Sequence, residues 1–108
     1  MKAILGLDIG GTKILGVLYD EAGEVIGREK KKTKANEGLE IVMGQVFKVI
    51  DNLLENYEVQ LQRIGVGVPG IINEYGVVTF SPNIPFRDFK LSELLSDKYQ
   101  VPTYIGND

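Results

Sequence analysis

Residues 8–13 read DIGGTK and combine the groups that phosphate binding requires. A carboxylate at the end of a buried strand, here Asp8, can hold Mg²⁺ through water. The two glycines let backbone amides approach an anion, Thr12 adds a hydroxyl and Lys13 adds a mobile positive charge. The order differs from that of a Walker A loop. The segment therefore predicts a phosphate cradle, and the alternative is an ordinary Gly-Gly hairpin with incidental charges.

Residues 65–70, GVGVPG, match the glycine spacing of dinucleotide-binding loops. That fingerprint must open a helix, whereas here more strand-like residues follow Pro69, so we reject dinucleotide binding. Gly65 and Gly67 lie inside a strand, where glycine usually marks a close approach to the backbone. Gly70 follows the strand, and its bare backbone predicts a place where substrate approaches; a plain turn is the alternative.

Two further segments carry polar groups at the ends of predicted elements. Asn83 lies in the proline-stiffened loop SPNIPF, residues 81–86, and its amide can both donate to and accept from vicinal hydroxyls. The alternative is an asparagine that caps its own turn. Asn107 and Asp108 follow a buried strand, where the carboxylate suits a general base and, equally, the N-cap of a following helix.

The apolar pattern predicts the elements that position these residues. Strands are expected at residues 2–8, 14–20, from 25 into the lysine cluster, 63–68, 77–80 and 103–105. A helical stripe from Leu39 to Tyr57, about six turns, is expected to begin at an Asn36 N-cap with Glu37 in its first turn. A short second helix is expected around residues 91–99. Short connections make the first three strands antiparallel, and the strands after the helices join in parallel.

Composition excludes several classes of function. The chain has 108 residues, a net charge of −3, no Cys and no His, which excludes disulfide scaffolds, the usual zinc sites and Ser-His or Cys-His catalysis. No apolar run approaches the ~20 residues of a membrane span. The only basic run, Lys30 to Lys34, is interpreted as a solvated strand end, so no nucleic-acid partner is expected through this segment.

Taken together, the motifs at residues 8–13, 67–70, 81–83 and 107–108 resemble the amino-terminal lobe of ROK-family proteins (repressor, open reading frame, kinase). The resemblance extends over essentially the whole chain. It implies an α/β fold of the actin-like, ribonuclease-H-like ATPase type: a mixed sheet of three antiparallel then parallel strands with two helices. Residues 1–108 would be the first lobe of a two-lobe sugar kinase, with the carboxy-terminal lobe absent.

The resemblance also implies roles for individual residues. The phosphate-1 loop would comprise Asp8, Gly10, Gly11, Thr12 and Lys13. It would contact the ATP phosphates, and Asp8 would contact Mg²⁺ through water. The residues that contact the sugar hydroxyls would be Gly70, Asn83, Asn107 and Asp108. Asp108 would also be the catalytic base that activates the attacking hydroxyl, and this scheme fits the needs of phosphoryl transfer.

The implied function is glucokinase-like, Mg-ATP-dependent phosphorylation of a hexose or amino sugar in the cytoplasm, by a protein that is a homo-oligomer when complete. A structural zinc is expected only in the second lobe, and no membrane partner is expected. One lobe cannot close over ATP, so these residues alone are expected to be inactive. The alternative is a sugar-sensing transcriptional regulator of the same family without turnover. The chain starts directly at the first strand, with no helix-turn-helix, which favours the kinase. Phe86 stands where the family often has Trp, so the resemblance does not identify the sugar.

Overall fold

The computed structural model describes residues 1–108, which form eight strands and two helices. The strands are β1 (Lys2–Ile9), β2 (Lys13–Asp20), β3 (Val25–Lys32), β4 (Gln60–Val68), β5 (Ile71–Ile72), β6 (Val78–Phe80), β7 (Arg87–Phe89) and β8 (Thr103–Asn107). The helices are α1 (Leu39–Asn56) and α2 (Leu91–Tyr99), and neither is long and apolar enough to cross a membrane.

The main sheet has the strand order β3-β2-β1-β4-β8. β1 pairs antiparallel with β2 and parallel with β4, and β8 adds in parallel to β4. This confirms the predicted mixed sheet. The register sets Asp8 opposite Gly67 and Gly67 opposite Gly106, so the carboxyl ends of β1, β4 and β8 meet at one edge.

Helix α1 begins after Gly38, and the predicted Asn36 N-cap is wrong. Gly38 has φ 98° and ψ 166°, a backbone conformation that favours glycine, so the chain breaks there. The residues before it, Ala35–Glu37, form a separate 3-10 turn. The helix begins where the predicted apolar stripe begins, at Leu39, and ends one residue before it; Tyr57 follows in extended conformation while still packing on the core.

The predicted strand at residues 77–80 lies in a small second sheet, in which β6 pairs antiparallel with both β5 and β7. Sequence reasoning missed β5 and β7, because strands of two and three residues are too short to show alternation. The loop before β7 turns Phe86 into the core, where it is fully buried and stacks on Phe89 with ring centroids 5.1 Å apart. Phe86 therefore serves packing.

Helix α1 packs closely on β2 at Gly16. We therefore expect substitution by alanine to have opposite effects on stability at two glycines, Gly16 and Gly44. A Cβ at Gly16 would lie 2.6 Å from Val49 Cγ1 and 3.0 Å from Leu53 Cδ1, so Gly16→Ala should lower the free energy of unfolding by about 1–3 kcal/mol. A Cβ at Gly44, within α1, meets nothing within 4 Å. Gly44→Ala should therefore raise the free energy of unfolding by about 1 kcal/mol, since alanine favours the helix more than glycine does. Urea unfolding measures both; equal stability of the two variants would contradict this packing.

Candidate active site

Residues 10–13, the candidate phosphate-binding loop between β1 and β2, are called the phosphate-like loop below. This loop is held in place by a residue that the sequence analysis did not identify. Thr33 is fully buried, its hydroxyl donates to the Gly10 carbonyl at 2.6 Å, and its N–H donates to the Thr12 carbonyl at 2.9 Å. The loop closes on itself through the Gly10 N–H, which donates to the Lys13 carbonyl at 2.9 Å. No local motif signals Thr33, because its partners lie in the β1–β2 loop, far from it along the chain.

The loop that carries Asn83 lies directly against the glycines of the phosphate-like loop. A Cβ at Gly11 would sit 3.2 Å from the Asn83 Cβ, so glycine permits this approach. Asn83 has φ 62°, a left-handed conformation that asparagine tolerates, and its side chain is exposed. Gly11, Thr12 and Asn83 line one groove of about 540 Å³ together with Lys32 and Lys34.

Glycine is required at position 70 because the backbone of β6 packs directly against it. The φ of Gly70 is 143°, and a Cβ there would collide with the backbone carbonyl of Phe80. The buried Ser81 hydroxyl donates to the Pro69 carbonyl and so holds the two segments together. The Gly70 N–H donates to Asn107 Oδ1 in a long hydrogen bond of 3.4 Å, which brings two of the predicted sugar-contact residues together.

The carboxyls of Asp8 and Asp108 meet at the shared edge of β1, β4 and β8. Their hydrogen bond, partial burial and the negative charge of Asp8 raise the pKa of Asp108 to about 6. Two facing carboxylates cannot both ionise freely, so the pair retains a proton to higher pH than an isolated aspartate does. The Asp108 backbone is fixed as well, since its N–H donates to the Val68 carbonyl at 3.3 Å.

The Asp108 carboxyl lies against the backbone of Gly67, where glycine leaves the space for it. A Cβ at Gly67 would occupy the place of the Asp108 carboxyl, whereas a Cβ at Gly65, two residues earlier in β4, meets nothing within 4 Å. The predicted close approach to strand glycines is therefore confirmed at Gly67 and wrong at Gly65. The side chain that approaches is Asp108 itself, which local sequence does not reveal.

The acid pair gives a prediction about titration. The carboxyl carbon of Asp108 should titrate with a midpoint of about 6 in NMR. In Asp8→Asn the midpoint should fall toward about 3.9, the ordinary value, because the carboxylate that accepts the Asp108 proton in a hydrogen bond is gone, and its negative charge with it. Since the folded-state pKa is raised, the stability that this proton contributes is fully present below the unfolded pKa and is lost as pH rises through about 6. An unchanged midpoint in Asp8→Asn would contradict the pairing.

The structure thus places the predicted residues in three local groups along one side of the molecule. Asp8 pairs with Asp108, Gly11 contacts Asn83, and Gly70 is hydrogen-bonded to Asn107. Lys13 is separate from the acid pair: it lines a groove formed mainly by other lysines. The arrangement offers amides and a hydroxyl for an anion, and a carboxyl pair that can exchange a proton.

Comparison with known proteins identifies relatives across the whole chain. The profile of the ROK family matches residues 4–108. The xylose repressor of Caldicellulosiruptor bescii is 32% identical over 110 residues, which cover 98% of this chain and 28% of the repressor. The glucokinase of Pyrobaculum calidifontis is 35% identical over 112 residues, which cover 100% of this chain and 33% of that enzyme. The chain therefore spans about a third of the length of these relatives.

Solved structures agree with the sequence relatives. The ROK family glucokinase from Streptomyces griseus, in complex with glucose and AMPPNP, matches with a TM-score of 0.84 and 25% identity over 97% of this chain and 33% of that one. The ROK hexokinase from Thermus thermophilus matches with a TM-score of 0.83 and 29% identity, over 97% of this chain and 35% of that one. These likenesses confirm the expected actin-like ATPase fold.

Proposed function

Because the chain belongs to the ROK family, we propose that the complete protein is an ATP-dependent sugar kinase and that residues 1–108 are its amino-terminal lobe. The proposed substrate is a hexose or an amino sugar. One observation carries the proposal: the paired carboxyls of Asp8 and Asp108 lie at the sheet edge from which the phosphate-like loop, residues 10–13, departs. A proton acceptor and a phosphate cradle at one edge are what transfer to a hydroxyl needs.

In the proposed reaction, the residues of this chain align the two substrates and accept one proton. The backbone amide of Gly11 and the Thr12 hydroxyl donate to phosphate oxygens of ATP, and the Gly10 amide, which donates to the Lys13 carbonyl, holds the loop in shape. The sugar hydroxyl loses its proton to Asp108, its oxygen bonds to the γ-phosphorus, and ADP leaves with the electrons of the broken P–O bond. Because the pKa of Asp108 is about 6, most of it is ionised at pH 7 and able to accept that proton.

The acid pair also fits a magnesium ion. The chain has no group of three or more His, Cys, Asp or Glu side chains that could hold a metal alone. Mg²⁺ usually keeps several waters and binds through one or two carboxylates plus substrate phosphates, and Asp8 with Asp108 offers that oxygen donor set. Asp8 would hold the ion through water, and the ion would offset the negative charge of the phosphates.

The sugar side of the proposed site is built from amides and backbone. Asn83 is exposed beside the phosphate-like loop, and Asn107, which accepts a hydrogen bond from the Gly70 N–H, directly precedes Asp108 in the chain. An amide can donate to one hydroxyl and accept from its neighbour, which suits the vicinal hydroxyls of a sugar ring. We propose that Asn83 and Asn107 orient the sugar, and that Gly70 contributes backbone only.

The test is a coupled ADP-release assay on the complete protein, with Mg-ATP and a panel of hexoses and amino sugars. Turnover that depends on one sugar supports the kinase and names its substrate. Calorimetry with the same panel measures sugar binding separately. A protein that binds none of these sugars and releases no ADP contradicts the proposal.

A second candidate is a sugar-responsive regulator that binds the sugar without turnover. The observation that favours it is the 32% identity to a xylose repressor over nearly the whole chain. Sugar binding in calorimetry with no ADP release from any member of the panel would select this candidate over the kinase.

A further inference from the structure

The peptide that joins Gly10 and Gly11 in the phosphate-like loop can present either of its polar atoms to the groove beside it. Because neither residue has a Cβ, this peptide can rotate between two orientations at little steric cost. In a trans peptide the C=O and the N–H point in opposite directions, so one orientation offers the Gly11 N–H to the groove and the other offers the Gly10 carbonyl. Only the first orientation can bind an anion, since a carbonyl oxygen repels phosphate.

Thr33 selects the orientation that offers the N–H. Its hydroxyl donates to the Gly10 carbonyl at 2.6 Å, and because Thr33 is fully buried, that carbonyl points toward the interior. The Gly11 N–H therefore points the opposite way, toward the exposed side of the loop, where Gly11 lines the groove of about 540 Å³. It donates to no backbone carbonyl. The loop thus turns one unpaired amide toward the place proposed for phosphate.

Thr33 is itself held firmly, because both polar atoms of the peptide between Lys32 and Thr33 have partners. The buried side chain of Gln45, on α1, donates through its Nε2 to the Lys32 carbonyl at 2.9 Å. The Thr33 N–H donates to the Thr12 carbonyl at 2.9 Å. Thr33 therefore stays in place, and the peptide of the phosphate-like loop is oriented by it.

We propose that Thr33 is a positioning residue for the nucleotide: its hydroxyl keeps the Gly10–Gly11 peptide turned so that the Gly11 N–H donates to a phosphate oxygen of ATP. This inference rests on the proposed kinase function for the identity of the ligand. Thr33 acts through Gly10 and does not itself touch ATP. Its effect is confined to the nucleotide side of the site, because Thr33 follows β3, at the opposite edge of the main sheet from β8, which leads to Asp108.

Loss of the Thr33 hydroxyl favours the opposite orientation of the peptide. The Gly10 carbonyl would then be buried without a donor, which costs free energy, and rotation toward solvent relieves that cost. The same rotation turns the Gly11 N–H inward and places a carbonyl oxygen in the groove. ATP binds only the fraction of molecules in which the peptide has turned back, so its apparent affinity falls with that fraction.

The test uses the complete protein and three variants. Thr33→Val keeps the shape of the side chain and removes the hydroxyl, whereas Thr33→Ser keeps the hydroxyl and removes the methyl group. Thr103→Val is the matched control, because Thr103 is also buried and its hydroxyl also donates to a backbone carbonyl, that of Val101, before the other end of β8 from Asp108. Calorimetry measures the affinities for Mg-AMPPNP and for the sugars of the panel, ADP release gives the KM for ATP and for sugar, and urea unfolding gives stability.

We expect Thr33→Val to bind Mg-AMPPNP roughly tenfold more weakly, the effect of one lost buried hydrogen bond, with a matching rise in the KM for ATP. Its affinity and KM for sugar should stay within about twofold, because the sugar residues are distant. Thr33→Ser should restore nucleotide affinity, and Thr103→Val should lose stability without a change in either affinity. In the unmodified protein, the amide proton resonance of Gly11 should move downfield when Mg-AMPPNP binds, as a new hydrogen bond requires.

Unchanged affinity for Mg-AMPPNP in a folded Thr33→Val protein overturns this inference. Equal losses of nucleotide and sugar affinity also overturn it, as do equal losses in Thr33→Val and Thr103→Val, because a merely structural residue would produce either result. Thr33→Ala, which also lacks the hydroxyl, gives the same test should the valine variant fail to fold. Binding of Mg-AMPPNP without turnover of any sugar contradicts the kinase proposal and leaves the role of Thr33 standing, whereas an unmodified protein that binds no Mg-AMPPNP overturns that role.

Discussion

An Asp108→Asn variant of the complete protein should lose roughly 10²–10⁴-fold in kcat, the usual contribution of a general base. Asparagine has the same shape and can still donate to the carboxyl of Asp8, so the side chain keeps its place beside its partner. It cannot accept the hydroxyl proton. Sugar affinity should therefore change only a few-fold, because binding uses the neighbouring amides. The measurements are ADP release for kcat and calorimetry for the sugar.

Asp97→Asn is the matched control, since Asp97 is exposed on α2 and away from the sheet edge. It should keep the kcat of the unmodified protein. Normal turnover in Asp108→Asn would end the assignment of Asp108 as the base. A loss of sugar affinity as large as the loss in kcat would instead make Asp108 a binding residue.

Gly67→Ala should lower kcat on the order of 10²-fold, the effect of moving a reacting group by about 1 Å. The added methyl takes the place of the Asp108 carboxyl. Because that carboxyl is the free end of an exposed side chain, it can move aside without disturbing the strand. The fold should therefore persist while the acid pair separates, and the pKa of Asp108 should fall from about 6 toward its ordinary range.

Gly65→Ala is the control for this variant, because Gly65 lies on the same face of the same strand with open space where its Cβ would be. It should leave both kcat and the Asp108 titration unchanged. The combined readout separates displacement from unfolding, since an unfolded variant loses its secondary structure in circular dichroism. Equal kcat values for the two alanine variants would show that the close approach of the Asp108 carboxyl to Gly67 has no role in turnover.

The alternation and helical spacing of apolar residues predicted the architecture because each long element buries a single face. The order of three antiparallel strands followed by parallel ones was predicted by the lengths of the connections, and it is confirmed. The start of α1 was wrong because the exceptional backbone of Gly38 outweighed the capping preference of Asn36. β7 was missed because Arg87–Phe89 forms a strand only by pairing with β6.

The sequence predicted where the candidate site lies in the fold, but it did not predict which residues contact each other there. Asp8 and Asp108 were predicted to lie at strand ends, and the carboxyl ends of parallel strands share an edge. Their direct pairing depends on the register of β1, β4 and β8, which no local pattern encodes. Thr33 was missed for a similar reason: it holds the site through hydrogen bonds to Gly10 and Thr12, in a loop far from it along the chain.

The strand order also sets the sequence of events by which the two halves of the site form. The phosphate-like loop belongs to the hairpin of β1 and β2, neighbours along the chain, which can close early in folding. Asp108 reaches Asp8 only when β4 and then β8 have joined β1 in parallel, and such distant pairings form slowly. β8 is one of the two edge strands of this sheet, so it is paired on one side only. The raised pKa of Asp108 is therefore a marker of completed folding, which should appear last during refolding and disappear whenever β8 separates from β4.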